Sequence, residues 1–174
     1  GLEQGWEAFV EMDADFQHDP ASLPALVGPV GDGVDLVVGS RYVPGGSIPK
    51  WRWHRRLLSQ GGNVYAALLL GLGIKDSTSG FRCYSGRILR AIDLTEVRAE
   101  GYGFQIEMVR EVLDHGGRVI EVPIRFSERT VGESKMSMAI VVEALALVTW
   151  WAALRILRSL RPGRRARTSL GPTT

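Results

Sequence analysis

The chain has 174 residues, of which 45% are hydrophobic and 23% are charged, and its formal net charge is +2. This length and composition are typical of one globular domain with a core of its own, and so small a net charge gives no general attraction for nucleic acid. The single cysteine, Cys83, excludes an internal disulfide and a cysteine-rich metal site, so we expect a reducing compartment.

An acidic stretch follows the first apolar run of the chain. Residues 8–12 are mostly apolar, and Asp13, Ala14 and Asp15 come directly after them, followed by Gln17. Side chains at alternate positions of a strand point to the same side, so we expect Asp13, Asp15 and Gln17 to face one spot. Their oxygens suit Mg²⁺ or Mn²⁺ shared with substrate phosphates. The tripeptide is a weak motif by itself, and a solvated turn explains it equally well.

A helix and a second strand come next. Asp19 is predicted to cap a helix that starts at Pro20 and runs to Val30. Residues 34–40 are almost continuously apolar, as in a buried parallel strand, and strand, helix and strand in this order predict a right-handed crossover. Ligands bind beyond the carboxyl ends of such strands. Arg41 is therefore expected at the same rim as the acidic pair, in a site suited to a diphosphate.

A long helix is predicted from about Trp53 to Leu72. Basic and aromatic side chains crowd its beginning, in residues 50–56. Nucleic-acid contact, a solvated basic face and a phosphate-bearing partner at the sheet rim each explain this cluster. Nucleic-acid contact is disfavoured, because the cluster is short and the overall charge is low, and we favour the phosphate-bearing partner.

The polar run from Asp76 to Gly80 is typical of a turn, and we expect Arg82 to pair with Asp76 across it. Further elements are predicted as a strand at 81–84, helices at 87–92 and 105–115, and a strand at 118–126 with Pro123 near a sheet edge. Glu107, in the first turns of its helix, either complements the helix dipole or faces the cleft.

The loop at residues 127–135 contains a glycine and two cations, Arg129 and Lys135. These cations are expected to form a second clamp for phosphates on a loop able to move, and an exposed flexible loop is the alternative.

The last apolar stretch, residues 138–157, just reaches the ~20 residues that span a bilayer. Glu143, the pair Trp150 and Trp151, and the arginines that follow favour a helix lying in a membrane interface over a core helix or a simple span. The tail beyond Pro162 is predicted to be disordered.

Five stretches, in their order and spacing, resemble the polyprenol-phosphate (dolichol-phosphate) mannosyltransferases, which are inverting family 2 glycosyltransferases. The matching stretches are residues 12–20, 38–42, 77–82, 101–107 and 128–135. The resemblance implies an α/β fold in three parts: a partial GT-A-type (Rossmann-like) glycosyltransferase domain lacking its first strands at 1–135, an amphipathic membrane-interface helix at 136–160, and a basic disordered tail at 161–174.

The resemblance also implies roles for individual residues. Asp13 and Asp15 would be catalytic and, with Gln17, would hold Mg²⁺ or Mn²⁺. The donor diphosphate would be bound by Asp13, Ala14, Asp15, Gln17, Arg41, Arg129 and Lys135. Arg55 and Ser59 would bind the acceptor phosphate. His18 is expected only to serve the turn or a cap.

The family transfers mannose from GDP-mannose to a polyprenyl (dolichyl) phosphate at the cytoplasmic face of the membrane. We therefore expect a peripheral enzyme with these two substrates and the membrane surface as partners, and no nucleic acid. An integral-membrane partner protein is compatible with the resemblance. The acceptor is an anion at neutral pH, so no strong general base is required.

The chain departs from the family at its beginning. The family opens with a strand, a Pro-Thr-Tyr-Asn-Glu-like turn and a second strand that reads the base, and these are expected to be missing, through a fragment or a mis-started frame. Alternatives are therefore a polyprenyl-phosphate glucosyltransferase using UDP-glucose and an inactive membrane-associated fragment. A phosphatase with an Asp-x-Asp nucleophile is disfavoured, because Gln17 stands where Thr or Val is expected.

Overall fold

The computed structural model describes residues 1–48, 51–127 and 138–160. The predictions for Arg129, Lys135 and the tail at 161–174 lie outside the described residues. The described elements, in chain order, are β1 (Ala8–Glu11), a 3-10 turn (Pro20–Ser22), α1 (Leu23–Val27), β2 (Leu36–Ser40), α2 (Trp53–Leu70), β3 (Arg82–Ser85), α3 (Gly86–Ala91), α4 (Gly101–Asp114), β4 (Val119–Pro123) and α5 (Met138–Leu160).

The four strands form one mixed sheet in the order β1-β3-β2-β4. β3 is antiparallel to both β1 and β2, with Val10 and Val37 on either side of Cys83, and β2 is parallel to β4. β1 and β2 therefore run in the same direction, as predicted, but an antiparallel strand separates them. The carboxyl ends of β1, β2 and β4 and the amino end of β3 share one edge of the sheet.

Both faces of the sheet are covered. On one face, Leu36 and Val38 of β2 pack with side chains from α2, α3, α4 and α5. On the other, Val37 packs with Leu26 of α1 and with Phe81. Alternate side chains of one strand thus enter two cores, which explains why the sequence of β2 is almost continuously apolar.

The start of the first helical segment follows the predicted capping, and its end does not. The Asp19 carboxylate accepts the N–H of Ala21 at 2.9 Å, and Pro20 occupies the first helical position. The observed helix is shorter than the predicted one. A 3-10 turn takes its first residues, and α1 ends at Val27 instead of Val30. Pro123 ends β4 at a sheet edge, which confirms its predicted place.

The predicted pair of Arg82 with Asp76 is wrong, although Arg82 is structural. Arg82 is fully buried and its guanidinium donates to three backbone carbonyls, those of Ser77, Ser79 and Gln105. The side chain therefore ties the turn before β3 to α4, and Asp76 is left for another partner.

Helix α5 has two different faces. Val148, Trp151 and Ala152 are buried in the core against α2 and α4, whereas Trp150 is exposed. The Nη1 of Arg155 donates to the carbonyl of Leu70 at 2.6 Å, at the end of α2. By length and composition alone, Ile140–Leu157 is the one described helix apolar enough to cross a membrane. One side of α5 is thus a core helix, and the exposed side leaves the membrane-interface prediction open.

Candidate functional site

The acidic stretch lies beyond the sheet edge, in a turn and not in a strand. β1 ends at Glu11, so strand alternation does not position Asp13 and Asp15, and that part of the prediction is wrong. The turn is built instead by an Asp15 Oδ1 that accepts the N–H of Gln17 at 3.1 Å, and by Phe16, whose φ is 60°. A positive φ costs energy in a non-glycine residue, so the turn is held in a specific shape.

Asp13 projects from this turn over the loop that precedes β3. Its side chain is 67% exposed, and a Cβ built on Gly80 would lie 3.0 Å from Asp13 Oδ2. The absence of a side chain at Gly80 therefore leaves room for the carboxylate.

Two hydrogen bonds between Gln17 and Ser127 fix the end of the acidic stretch. Gln17 is buried, its Nε2 donates to the carbonyl of Ser127 at 3.0 Å, and Ser127 donates its own N–H to the Gln17 carbonyl. Because the amide nitrogen is used in this way, the amide oxygen is the atom left to act as a ligand.

His18 is a buried aromatic residue and not the predicted turn or capping residue. Its ring lies 4.9 Å from that of Phe81 and 5.2 Å from that of Phe126, between centroids. Nε2 lies 3.7 Å from Asp13 Oδ2, and neither ring nitrogen has a hydrogen-bond partner among the described residues. The buried imidazole of His18 thus lies directly behind the exposed carboxylate of Asp13.

The acidic stretch carries oxygen donors of the type that a hard divalent cation prefers. Within residues 1–48, 51–127 and 138–160, no three His, Cys, Asp or Glu side chains are grouped to hold a metal by themselves. Asp13, Asp15 and the amide oxygen of Gln17 offer an oxygen set that water and substrate phosphates would have to complete. Mg²⁺ is typically bound in this way, by one or two carboxylates plus phosphates.

Arg41 follows β2 directly and is buried at the same sheet edge. Its Nε donates to Asp76 Oδ2 at 2.8 Å, and its Nη2 donates to Asp76 Oδ1 at 2.6 Å and to Thr78 Oγ1 at 3.0 Å. Burial works to lower the pKa of Arg41, but the hydrogen bonds and charge of Asp76 outweigh it and raise the pKa above its usual value. The guanidinium is therefore permanently charged and held in one orientation.

A hydrogen-bond network connects Arg41 to helix α2. Asn63 Nδ2 donates to Thr78 Oγ1 at 3.2 Å and to the carbonyl of Ser59 at 3.0 Å. The Ser77 hydroxyl donates to Asn63 Oδ1 at 2.9 Å. These hydrogen bonds join helix α2 to the loop that precedes β3. They hold the Arg41 side chain against α2.

A cavity of about 60 Å³ lies between this network and the helices. Its polar end includes Arg41, Ser59 and Thr78. Its apolar lining comes from α2, α4 and α5: Leu58, Ile106, Val141, Ala144, Leu145 and Val148. The structure therefore brings together Arg41, predicted for the donor, and Ser59, predicted for the acceptor, at the polar end of an apolar cavity.

Arg55 lies on α2, one helical turn before Ser59 and near the cavity that Ser59 lines. Its Cζ is 4.3 Å from the ring centroid of Trp51, which also lines the cavity. Its Nε is buried, and no described residue accepts a hydrogen bond from it. Cation–π stacking on Trp51 thus holds the charged Arg55 side chain beside the cavity, and its Nε–H donates to no described residue.

Sequence reasoning missed Asn63, Asp76 and Thr78, which hold the site together. A signal existed: Arg55, Ser59 and Asn63 are spaced by four, so they lie in one polar stripe along α2. Glu107 does not face the cleft. Its Oε2 accepts the backbone N–H groups of Arg98 and Ala99, so it orders the chain before α4.

Comparisons with known proteins match from half of the chain to nearly all of it. The family model described as Glycosyl transferase family 2 matches residues 7–93. An undecaprenyl-phosphate mannosyltransferase of Micrococcus luteus is 46% identical over 170 residues, 98% of this chain and 68% of that protein. A polyprenol monophosphomannose synthase of Mycolicibacterium smegmatis is 46% identical over 87% of this chain and 57% of that protein. For a dolichol-phosphate mannosyltransferase of Pyrococcus furiosus the identity is 36%, over 82% of this chain and 40% of that protein.

Solved structures agree on the fold. A glucosyl-3-phosphoglycerate synthase from Mycobacterium tuberculosis, in complex with phosphoglyceric acid, superposes with a TM-score of 0.59 at 22% identity, over 84% of this chain and 50% of that one. The same enzyme with Mn²⁺, uridine diphosphate and glucosyl-3-phosphoglycerate gives a TM-score of 0.58, with the same coverage and identity. At this identity they show the fold alone, and they confirm the predicted α/β, GT-A-like class. The chain therefore belongs to glycosyltransferase family 2, in the sequence group of the polyprenol-phosphate mannosyltransferases.

Proposed function

We propose that this chain contributes the metal and acceptor sides of an active site that transfers mannose from GDP-mannose to a polyprenyl phosphate, with inversion at the sugar. The observation that carries the proposal is the cavity with Arg41, Ser59 and Thr78 at one end and an apolar lining from three helices. An anionic headgroup on an apolar chain has the matching chemistry, with cationic and hydroxyl donors for the phosphate and apolar walls for the first prenyl units.

The donor side is the acidic stretch at the neighbouring strand end. Asp13, Asp15 and the Gln17 amide oxygen would hold Mg²⁺ or Mn²⁺, which neutralises charge on the leaving diphosphate when bound. Asp13 lies over Gly80, at the amino end of β3, and Thr78 in the same loop lines the cavity. The two halves of the site are thus joined by one short loop.

The residues of the chain would act mainly by orientation and charge. Arg41 keeps its charge and a fixed orientation, and Ser59 is held by Tyr42, so both can meet an acceptor phosphate without rearrangement. An acceptor phosphate oxygen needs no base to remove a proton. Attack from the acceptor side, opposite the diphosphate, would invert the anomeric carbon.

We place the protein at the cytoplasmic face of a membrane, as a peripheral protein. Exposed apolar side chains on one side of α2 support this proposal: Trp53, Leu57, Val64 and Leu68. Exposed apolar side chains on α5 add to the surface: Val142, Trp150, Ile156 and Leu157. Because α2 and α5 pack together, the two sets belong to neighbouring helices, and Arg52 and Arg56 beside them suit anionic lipid.

Transfer of labelled mannose from GDP-mannose to a polyprenyl phosphate, in vesicles with Mn²⁺, tests the function. The assay is run on this chain and on the gene product that contains it, with UDP-glucose as a competing donor. Lipid-linked mannose that is lost with a chelator supports the proposal. Transfer of glucose in its place favours the glucosyltransferase, and no transfer by either protein favours the inactive membrane-associated chain.

Stereochemistry is tested on the same product. Digestion with an α-mannosidase or a β-mannosidase, or the one-bond carbon–hydrogen coupling at the anomeric carbon, reads the configuration. The donor carries α-linked mannose, so a β-linked product indicates inversion and an α-linked product contradicts it.

A further inference from the structure

We propose that Asp76 and Glu121 are positioning residues for Arg41: Glu121 fixes the backbone at Asp76, and Asp76 orients the Arg41 guanidinium so that its Nη1 group is presented to a phosphate in the cavity. This inference rests on the proposed function only in taking a prenyl phosphate as the anion. The function proposed above uses the fixed orientation of Arg41, and the inference here is that Asp76 and Glu121 together aim its Nη1 group.

Asp76 uses three of the hydrogen bonds that Arg41 can make. Its carboxylate accepts from the backbone N–H, from Nε and from Nη2 of Arg41, at 2.9, 2.8 and 2.6 Å. Thr78 accepts the second hydrogen of Nη2. A guanidinium has five N–H groups, so the described contacts leave the two on Nη1. The pair is therefore arranged to leave one specific donor group for a ligand.

Glu121 holds the turn that carries Asp76. Its Oε2 accepts the backbone N–H of Lys75 at 2.9 Å, and its Oε1 accepts that of Asp76 at 3.0 Å. Glu121 lies on β4 and pairs with Val38 of β2. Val38 precedes Arg41 by three residues. One carboxylate thus connects the edge strand, the turn and, through Asp76, the side chain at the end of β2.

Charge balance makes orientation the relevant quantity. The side chain of Asp76 is completely buried and neutralises Arg41, so the pair has no net charge with which to attract an anion from a distance. Binding at such a site depends on directed hydrogen bonds from Nη1. Removing the charge of Asp76 would leave Arg41 more positive but less well oriented, so orientation and net charge predict opposite effects on anion binding.

The test measures binding of farnesyl phosphate, a short prenyl phosphate, by calorimetry on the full chain, and needs no mannose transfer. We expect Asp76→Asn to weaken binding about tenfold and Glu121→Gln to weaken it by a smaller factor. In an Arg41→Lys background, which cannot reproduce the two-pronged contact, both effects should disappear. Glu96→Gln, at a side chain that is 72% exposed, is the matched control and should leave binding unchanged.

Several outcomes would overturn the inference. Tighter binding in Asp76→Asn would show that net charge dominates. An equal loss in the parent and in the Arg41→Lys background, or a lower melting temperature with unchanged binding, would show a purely structural role. If Asp76→Asn does not fold, Glu121→Gln decides, because it keeps the Arg41–Asp76 pair intact. Coupled losses of farnesyl phosphate binding in a chain without mannose transfer would uphold this inference while contradicting the proposed function.

Discussion

The hydroxyl oxygens of Tyr42 and Ser59 lie 2.7 Å apart and join the end of β2 to the middle of α2. Burial raises the pKa of Tyr42, so its phenol stays protonated at neutral pH. The pair therefore fixes the Ser59 hydroxyl beside Arg41, where the acceptor phosphate is proposed to bind.

Ser59→Ala is expected to raise the KM for the polyprenyl phosphate about three- to tenfold, because one hydroxyl partner is lost. The KM for the nucleotide sugar should not change. Ser22→Ala is the control, since the Ser22 side chain makes no capping bond to α1. A change confined to the donor KM would place Ser59 on the other side of the site.

Asp15→Asn is expected to weaken Mn²⁺ binding about tenfold or more, as measured by electron paramagnetic resonance in the presence of GDP. The amide oxygen can still accept the N–H of Gln17, so the turn should survive. Asp32→Asn is the matched control, because Asp32 is exposed in the turn before β2, at the opposite end of that strand. Equal Mn²⁺ affinity in all three proteins would remove Asp15 from the metal site.

Asp35 should make stability depend on acid pH. Burial works to raise its pKa, but hydrogen bonds from Arg87, the Arg118 N–H and Ser85 outweigh it and lower the pKa. Because the pKa of Asp35 is lower in the folded chain, the unfolded chain binds the proton more readily. The stabilisation is therefore fully present above the pKa of the unfolded chain. It is lost as the pH falls through the pKa of the folded chain. Urea unfolding should show Asp35→Asn less stable than the parent at neutral pH, with the gap closing in acid. A gap independent of pH would contradict this.

Arg82→Met is expected to lower the free energy of unfolding by about 3 kcal/mol or more, because three buried carbonyls lose their donor. Arg90→Met, on the surface of α3, should change it by less than about 0.5 kcal/mol. Urea denaturation of both variants checks this. Similar stabilities would mean that water can replace the Arg82 guanidinium.

Leu68→Glu on α2 is expected to reduce co-sedimentation with anionic vesicles severalfold, because it puts a charge on the proposed lipid-facing side. Val27→Glu is the comparison variant, since α1 packs on the opposite face of the sheet. If both variants sediment like the parent protein, α2 does not contact the membrane.

Local patterns predicted most of the elements. Continuous apolarity predicted β2, Asp19 and Pro20 predicted the start of the first helical segment, and spacing predicted α2 and α4. The sheet order was beyond such patterns, because β3 is only four residues long and its pairing with both β1 and β2 depends on contacts distant in sequence.

The candidate site was predicted in part for the same reason. Arg41 and Ser59 were found from strand ends and resemblance, and they do share a cavity. The turn sequence does not show that Asp76 pairs with Arg41 and that Arg82 binds backbone carbonyls. Both arginines lie close enough to the turn to reach Asp76. Both arginines are buried, and they differ in their surroundings: backbone carbonyls of Ser77, Ser79 and Gln105 surround Arg82, whereas Arg41 lies beside the Asp76 carboxylate.

The two faces of α5 have a consequence for how the lipid acceptor would arrive. Val141, Ala144, Leu145 and Val148 of this helix form a wall of the cavity, and Trp150 on the same helix is exposed. Under the proposed function, one face of α5 would guide the prenyl chain and the other face of the same helix would touch the membrane that supplies it. Docking on the bilayer and threading of the acceptor would then be a single event, so a change that lifts α5 from the core would disable both together.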